Sequence, residues 1–141
     1  YMAHGLLQLS PEHGGDRELS VYATEAYYTG PDNRVRRFTY RIDGFVALHG
    51  GEQIGTMITK PLVFSGDQFH LNYRTRDDGY VKVMIRSADR SDSQLVSPKL
   101  TGDSIDYVVP FDSESLRQPA DNPVVIEIEL QHADVFSFRF Q

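Results

Sequence analysis

Between positions 70 and 76 four polar side chains alternate along the chain: His70, Asn72, Arg74 and Arg76. In an extended segment side chains two apart share a face, so these four stand on one side while Phe69, Leu71, Tyr73 and Thr75 take the other. Forked guanidinium groups match a carboxylate with paired N–H donors, and amide or imidazole groups exchange hydrogen bonds with hydroxyls. The row is therefore suited to holding a sugar or a sugar acid. A solvated sheet face has the same appearance and is the commoner explanation of such a row. A sugar also needs an aromatic platform for its C–H surface, and Tyr22, Tyr27, Tyr28, Tyr73, Tyr80 and Tyr107 are the candidates. Alternation turns Tyr73 and Tyr107 inward and Tyr80 outward, so Tyr80 joins the candidate binding residues.

Bond-breaking chemistry finds little support. The five histidines, at 4, 13, 49, 70 and 132, include no pair at metal-ligand spacing, and a zinc site is not expected. Asp89, Asp92 and the Asp103-Ser104 loop offer oxygen ligands of the kind calcium takes, yet they match no calcium-loop motif and read as solvated turns. Glu127 and Glu129 share a strand face, where neighbouring carboxylates are ordinary surface charge rather than the opposed pair of a glycosidase. No Gly-x-Ser-x-Gly elbow occurs, so no nucleophile, catalytic residue or cofactor is assigned. Arg34, Arg36, Arg37 and Arg41 form the one basic concentration; an acidic glycan or phosphate is one use for it, protection of a strand edge the favoured one.

The elements that must position these groups are strands. Leu19, Val21 and Ala23 alternate with polar neighbours, as do Phe38, Tyr40 and Ile42, then Val81, Val83 and Ile85, then Ile105, Tyr107, Val109 and Phe111. Val124, Ile126, Ile128 and Leu130 continue the pattern, followed by Phe136, Phe138 and Phe140. Asp77-Asp78-Gly79 reads as a hairpin turn, Gly44 as a bulge or close approach, and Pro61 as a mark of an edge position. One helical turn is expected near Leu116, a loop at 118–123, and no helix of ten residues or more. Short strands at close intervals predict an all-β fold: an antiparallel, jelly-roll-like β-sandwich preceded by a short two-strand segment. Gly30-Pro31-Asp32-Asn33 is the strongest turn in the first third, which divides the chain into a lead-in pair at 1–30 and a sandwich at 34–141.

Composition narrows the partners. With 141 residues, 40% hydrophobic and 24% charged, the chain is long enough to bury a core and too apolar to be disordered. A net charge of −6 disfavours a nucleic-acid partner, and no apolar run is long enough to suggest a membrane helix. With no cysteine there is neither a disulfide framework nor a thiolate metal site. The opening at Tyr1, with strand-like residues at once, suggests a piece of a longer protein.

A set of short motifs occurs in order: RRFTYRIDGF from Arg36, TKPLVFSG, LNYRT with the Gly-x-Val-x-Val strand after it, LTGDS and ADVFSFRF. Over about residues 34 to 140 this resembles the C-terminal β-sandwich of bacterial five-bladed β-propeller proteins related to glycoside hydrolases of the invertase and arabinanase type. The resemblance implies that residues 1–28 are the remnant of a last propeller blade. It also implies that catalytic carboxylates lie on earlier blades, outside this chain. Arg41-Ile42-Asp43-Gly44 then falls at the seam between blade and sandwich, where an Arg41–Asp43 ion pair is expected. The implied role is a noncatalytic accessory domain, packed on its parent propeller and in contact with polysaccharide; an extracellular or periplasmic location is expected. Two other readings stay open: a sandwich that completes a polysaccharide-active site lying mostly elsewhere, and a structural subunit that pairs with another chain through exposed strand edges.

Overall fold

In the computed structural model residues 5–11, 14–27, 29–89, 94–111 and 122–141 are described, and every regular element among them is a strand. The helical turn expected near Leu116 and most of the loop expected at 118–123 lie outside the described residues, as do Asp92, Tyr28, His4 and His13. The chain divides into two compact units, residues 1–45 and residues 46–141.

The first unit is a three-stranded antiparallel sheet in chain order: β1 (Leu7–Leu9), β2 (Glu18–Glu25) and β3 (Arg34–Arg41). The β3 segment, expected to open the sandwich, pairs with β2 along its whole length, from Glu18 opposite Arg41 to Glu25 opposite Arg34. The expected boundary at 30–34 thus falls on the turn between two strands of one sheet. Cross-strand charge explains the pairing: Arg34 and Arg36 reach Glu25 at 2.7 and 3.0 Å, and Arg37 reaches Glu18. Most of the basic concentration is met by acids of the adjacent strand. At the end of β3 the chain makes a tight turn in which the Gly44 N–H donates to the Arg41 carbonyl at 3.0 Å. A Cβ on Gly44 would stand 2.4 Å from that of Arg41, so of the two expected uses this glycine serves the close approach, in a turn, and not a bulge.

The second unit is an antiparallel β-sandwich with open edges, built on two long strands, β6 (Phe69–Ser87) and β9 (Val124–Phe140). They pair along nearly their full length, and the wider of two interruptions sets residues 76–79 of β6 against His132 of β9. Asp77-Asp78-Gly79 is therefore a wide bulge inside one strand and not the expected hairpin. Both flanking segments keep the same partner, so the chain bends without reversing. Asp77 and His132 both hold positive φ, 52° and 44°.

The interruption divides the sheet into two halves. Residues 69–75 and 133–140 are flanked by β8 (Asp103–Val108) and β4 (Leu48–Gly50); residues 80–87 and 124–131 are flanked by β7 (Gln94–Val96) and β5 (Gly55–Ile58). Phe69, Leu71 and Tyr73 from one half and Val81, Val83 and Ile85 from the other join Val124, Ile126, Ile128 and Leu130 in one buried cluster. The bend thus lets both halves close over a single core, whose burial drives the fold. Pro61 lies where the edge was expected, beside Leu62, which makes an isolated bridge to Val124.

On β9 the core residues change parity: Val124 to Leu130 are even-numbered, Ala133 and Val135 odd, and Phe138 and Phe140 even again. The shifts coincide with the interruption at His132 and with a second register shift between Asn72 and Tyr73 of β6, opposite Phe136. Phe136, expected inward, is thereby taken out of the core cluster.

Candidate functional site

Three of the strands carry, at one level, three side chains in a row. His49 of β4 lies opposite Asp134 of β9, and Asp134 lies opposite Arg74 of β6. Arg76, the first residue of the β6 bulge, turns back to the same carboxylate. His49 Nδ1 stands 2.7 Å from Asp134 Oδ1, while Arg74 Nη2 and Arg76 Nη1 donate to Oδ2 at 2.9 and 3.2 Å. A carboxylate only accepts, so the imidazole proton sits on Nδ1. Arg76 Nη2, 3.1 Å from that nitrogen and 3.3 Å from Oδ1, then donates to the carboxylate.

Burial is distributed unevenly in this cluster. The Asp134 side chain is 7% exposed, against 46% for Arg74, 42% for Arg76 and 62% for His49. Desolvation, the largest single influence on Asp134, raises its pKa. Hydrogen bonds from His49 and Arg74 and the charges of Arg76 and Arg74 together outweigh it and hold the carboxyl below its ordinary value. Two guanidinium groups against one carboxylate leave an excess positive charge, presented by side chains that keep further N–H donors toward solvent. The Phe136 ring lies beneath Arg74, whose guanidinium carbon is 5.8 Å from the ring centroid. The arrangement is a cationic, half-exposed surface site fixed by one buried anion.

A second His–Asp–Arg cluster lies further along the sheet, with His70 on β6, Asp106 on β8 and Arg139 on β9. His70 Nδ1 stands 2.7 Å from Asp106 Oδ1, and Arg139 Nη2 donates to Asp106 Oδ2 at 2.8 Å. Here the exposures are inverted: 9% for His70, 48% for Asp106 and 56% for Arg139. His70 Nε2 is buried without a hydrogen-bond partner among the described residues.

The row expected from sequence is thus split. Arg74 and Arg76 come together at Asp134; His70 belongs to the other cluster; Asn72, 2% exposed, is inside the protein. The segment 69–73 is buried on both faces and not half-wet as alternation suggests. Tyr80, expected outside, is 5% exposed. Its hydroxyl donates to Glu129 Oε1 at 2.6 Å and its ring lies 3.6 Å beneath the Lys99 ammonium. The hydrogen bond with Glu129, followed by burial and by the Glu129 charge, raises the Tyr80 pKa. The Tyr80 ring is therefore covered and offers no open platform. Tyr73 is inward as expected, 2% exposed, with its hydroxyl donating to the Thr101 carbonyl at 3.0 Å. Tyr107, expected beside it in the core, is 38% exposed and meets the Tyr73 ring edge-on at 5.8 Å.

Sequence reasoning missed His49 and Asp134. The parity change on β9 turns the Asp134 side chain away from the core cluster, since it lies between core residues Ala133 and Val135. No local pattern announces that His49, 85 positions earlier, lands beside it. Among the described residues no three His, Asp or Glu side chains converge on a metal-sized site, and no helix is long and apolar enough to cross a membrane. No protein family, curated protein or solved structure matches the chain.

Proposed function

We propose that this chain is a noncatalytic β-sandwich that holds acidic polysaccharide, as the accessory domain of a larger glycoside-hydrolase-like protein. The observation that carries the reading is the convergence of Arg74, Arg76 and His49 on buried Asp134. Asp134 fixes two guanidinium groups in place while leaving them 46% and 42% exposed, so a uronate carboxylate meets donors whose orientation is already set. His49, with its proton on Nδ1, keeps a lone pair at Nε2 for a sugar hydroxyl. Phe136 adds an apolar surface next to Arg74. Among the described residues the His49 imidazole donates to Asp134 and has no hydroxyl among its hydrogen-bond partners, which favours binding over turnover. The accessory role and the glycoside-hydrolase setting rest on the motif resemblance between residues 34 and 140.

Binding of polygalacturonate to the whole chain, compared with its methyl ester, tests this. The acid form should bind at least about tenfold more tightly, because only it offers carboxylates to Arg74 and Arg76. Replacing both arginines in Arg74→Met/Arg76→Met should abolish that preference. Equal binding of acid and ester, no binding of either, or release of reducing ends by the chain alone would sink the proposal.

A second reading, association through a strand edge, draws on β3. It lies at the edge of its sheet, with Val35, Phe38 and Tyr40 exposed by 70%, 36% and 42%. Sedimentation across a concentration series discriminates, and a monomer throughout refutes it.

A further inference from the structure

On the half of the sandwich formed by residues 80–87 and 124–131 a cavity of about 490 Å³ opens beside β6. Val96, Pro98, Pro110 and Phe111 give it apolar walls, and Lys82 and Lys99 place two ammonium-bearing chains at it. The frame beneath is fixed by backbone pairing: Ser97 and Leu100 donate to the Val83 and Val81 carbonyls at 2.8 and 2.7 Å, and Val81 donates back to Leu100 at 3.0 Å. The Ser97 hydroxyl accepts from the Val83 N–H at 2.8 Å and gives its one proton to the Pro98 carbonyl at 2.8 Å, so it has none to donate to an anion. It holds the loop. Among the described residues the charged groups lining the cavity are the two lysines.

Neither lysine forms an ion pair among the described residues. Glu129 lies opposite Lys82 across the strands and accepts from the Tyr80 hydroxyl at 2.6 Å, so one acid stands near the two lysines. Lys99 rests on the Tyr80 ring, 3.6 Å from its centroid, a contact that orients the ammonium without neutralising it. We infer that this cavity is a second binding site, for a small organic anion: a carboxylate on a flat apolar body, seated against Phe111 and the prolines with its charge between Lys82 and Lys99. The volume lies within the roughly 300–1,000 Å³ of small-molecule sites, and apolar walls with a few charged groups are their usual lining. Among the described residues the ammonium groups here outnumber the carboxylates, and that excess selects an anion over a neutral ligand of equal shape. A ring acid and a sugar acid share this chemistry, and a probe of each kind tells them apart.

The test is a titration of the whole ¹⁵N-labelled chain with benzoate, benzyl alcohol and glucuronate, followed by amide shifts. Benzoate should move the amides of Val96, Lys99 and Phe111 saturably and bind at least about tenfold more tightly than benzyl alcohol. Glucuronate moving the same amides more tightly than benzoate would assign the site to sugar acids. Lys82→Met/Lys99→Met, which keeps the aliphatic stems against the walls, should remove the preference for the anion while the spectrum stays dispersed. Equal binding of benzoate and benzyl alcohol, a preference that survives the double substitution, absence of any saturable shift, or shifts confined to the surroundings of Arg74 and Arg76 would each overturn the inference. Because the polygalacturonate assay reads Arg74 and Arg76, the two proposals fail separately.

Discussion

The two His–Asp–Arg clusters on β6 and β9 use the same atoms at nearly the same distances and bury opposite partners. In one, Asp134 is enclosed and His49, Arg74 and Arg76 face outward; in the other, His70 is enclosed and Asp106 and Arg139 face outward. An enclosed anion that is fully hydrogen-bonded fixes the cations around it and leaves their outer donors in water, the feature on which the proposed binding rests. An enclosed imidazole with one nitrogen unpartnered offers nothing to a ligand and ties strands together. Which member is buried decides the role.

The largest effect that separates the clusters is expected at their acids. Asp134→Ala removes a buried charge-assisted acceptor from three donors and should cost about 3 kcal/mol, against about 1 kcal/mol for half-exposed Asp106→Ala; urea unfolding of both variants measures this. Equal losses would remove the distinction. The two should also part with acidity. The Asp134 carboxyl titrates below its ordinary value near 3.8 in the folded chain, so its contribution is fully present above that pH. It is lost as pH falls further, through the folded-state value. In Asp134→Asn the slope of stability against pH below 3.8 should flatten relative to the native chain, as acid titrations followed by circular dichroism would register.

A smaller loss is expected from Gly79→Ala, in the bulge that brings Arg76 back to Asp134. A Cβ there would stand 2.5 Å from the His132 carbonyl oxygen and 2.6 Å from that of Gln131, so the bulge must move, at about 2 kcal/mol. Polygalacturonate binding should weaken with it; unchanged binding would show that the bulge does not position Arg76.

The smallest effects on stability belong to the imidazoles, and they sharpen the contrast by their sign. His70→Leu removes a buried nitrogen that has no partner among the described residues and leaves half-exposed Asp106 to Arg139 and water. Stability should stay within about 1 kcal/mol of the native chain and can rise. His49→Leu should change stability by less than about 0.5 kcal/mol, since the ring is 62% exposed, while weakening the sugar acid several-fold. A large loss from His70→Leu would mean that its buried nitrogen has a partner that matters.

Much of this molecule was legible in its residues. Val81, Val83 and Ile85, and Val124 through Leu130, alternate at the strand period because one face must leave water, and that regularity alone gives an all-β antiparallel fold. Arg74 and Arg76 were legible as candidates because guanidinium groups on one face have few uses. The burial of Tyr80 and the exposure of Tyr107 were not, because Tyr80 is covered by Lys99 and Glu129 on the face opposite Val81 and Tyr107 lies on β8, which pairs with β6 alone among the described strands, and alternation records neither. Asp77-Asp78-Gly79 shows the same limit: a turn-forming trio reads alike whether the chain reverses or only bends, and pairing of both flanks with β9 decides. The assignment of Arg34–Arg41 was settled by Glu18 and Glu25 on the preceding strand. What the sequence determined by itself is periodicity and side-chain chemistry, both local properties. What only the tertiary structure decided is which strands lie side by side at Asp134, because that register is set by bulges and by burial between residues far apart in the chain.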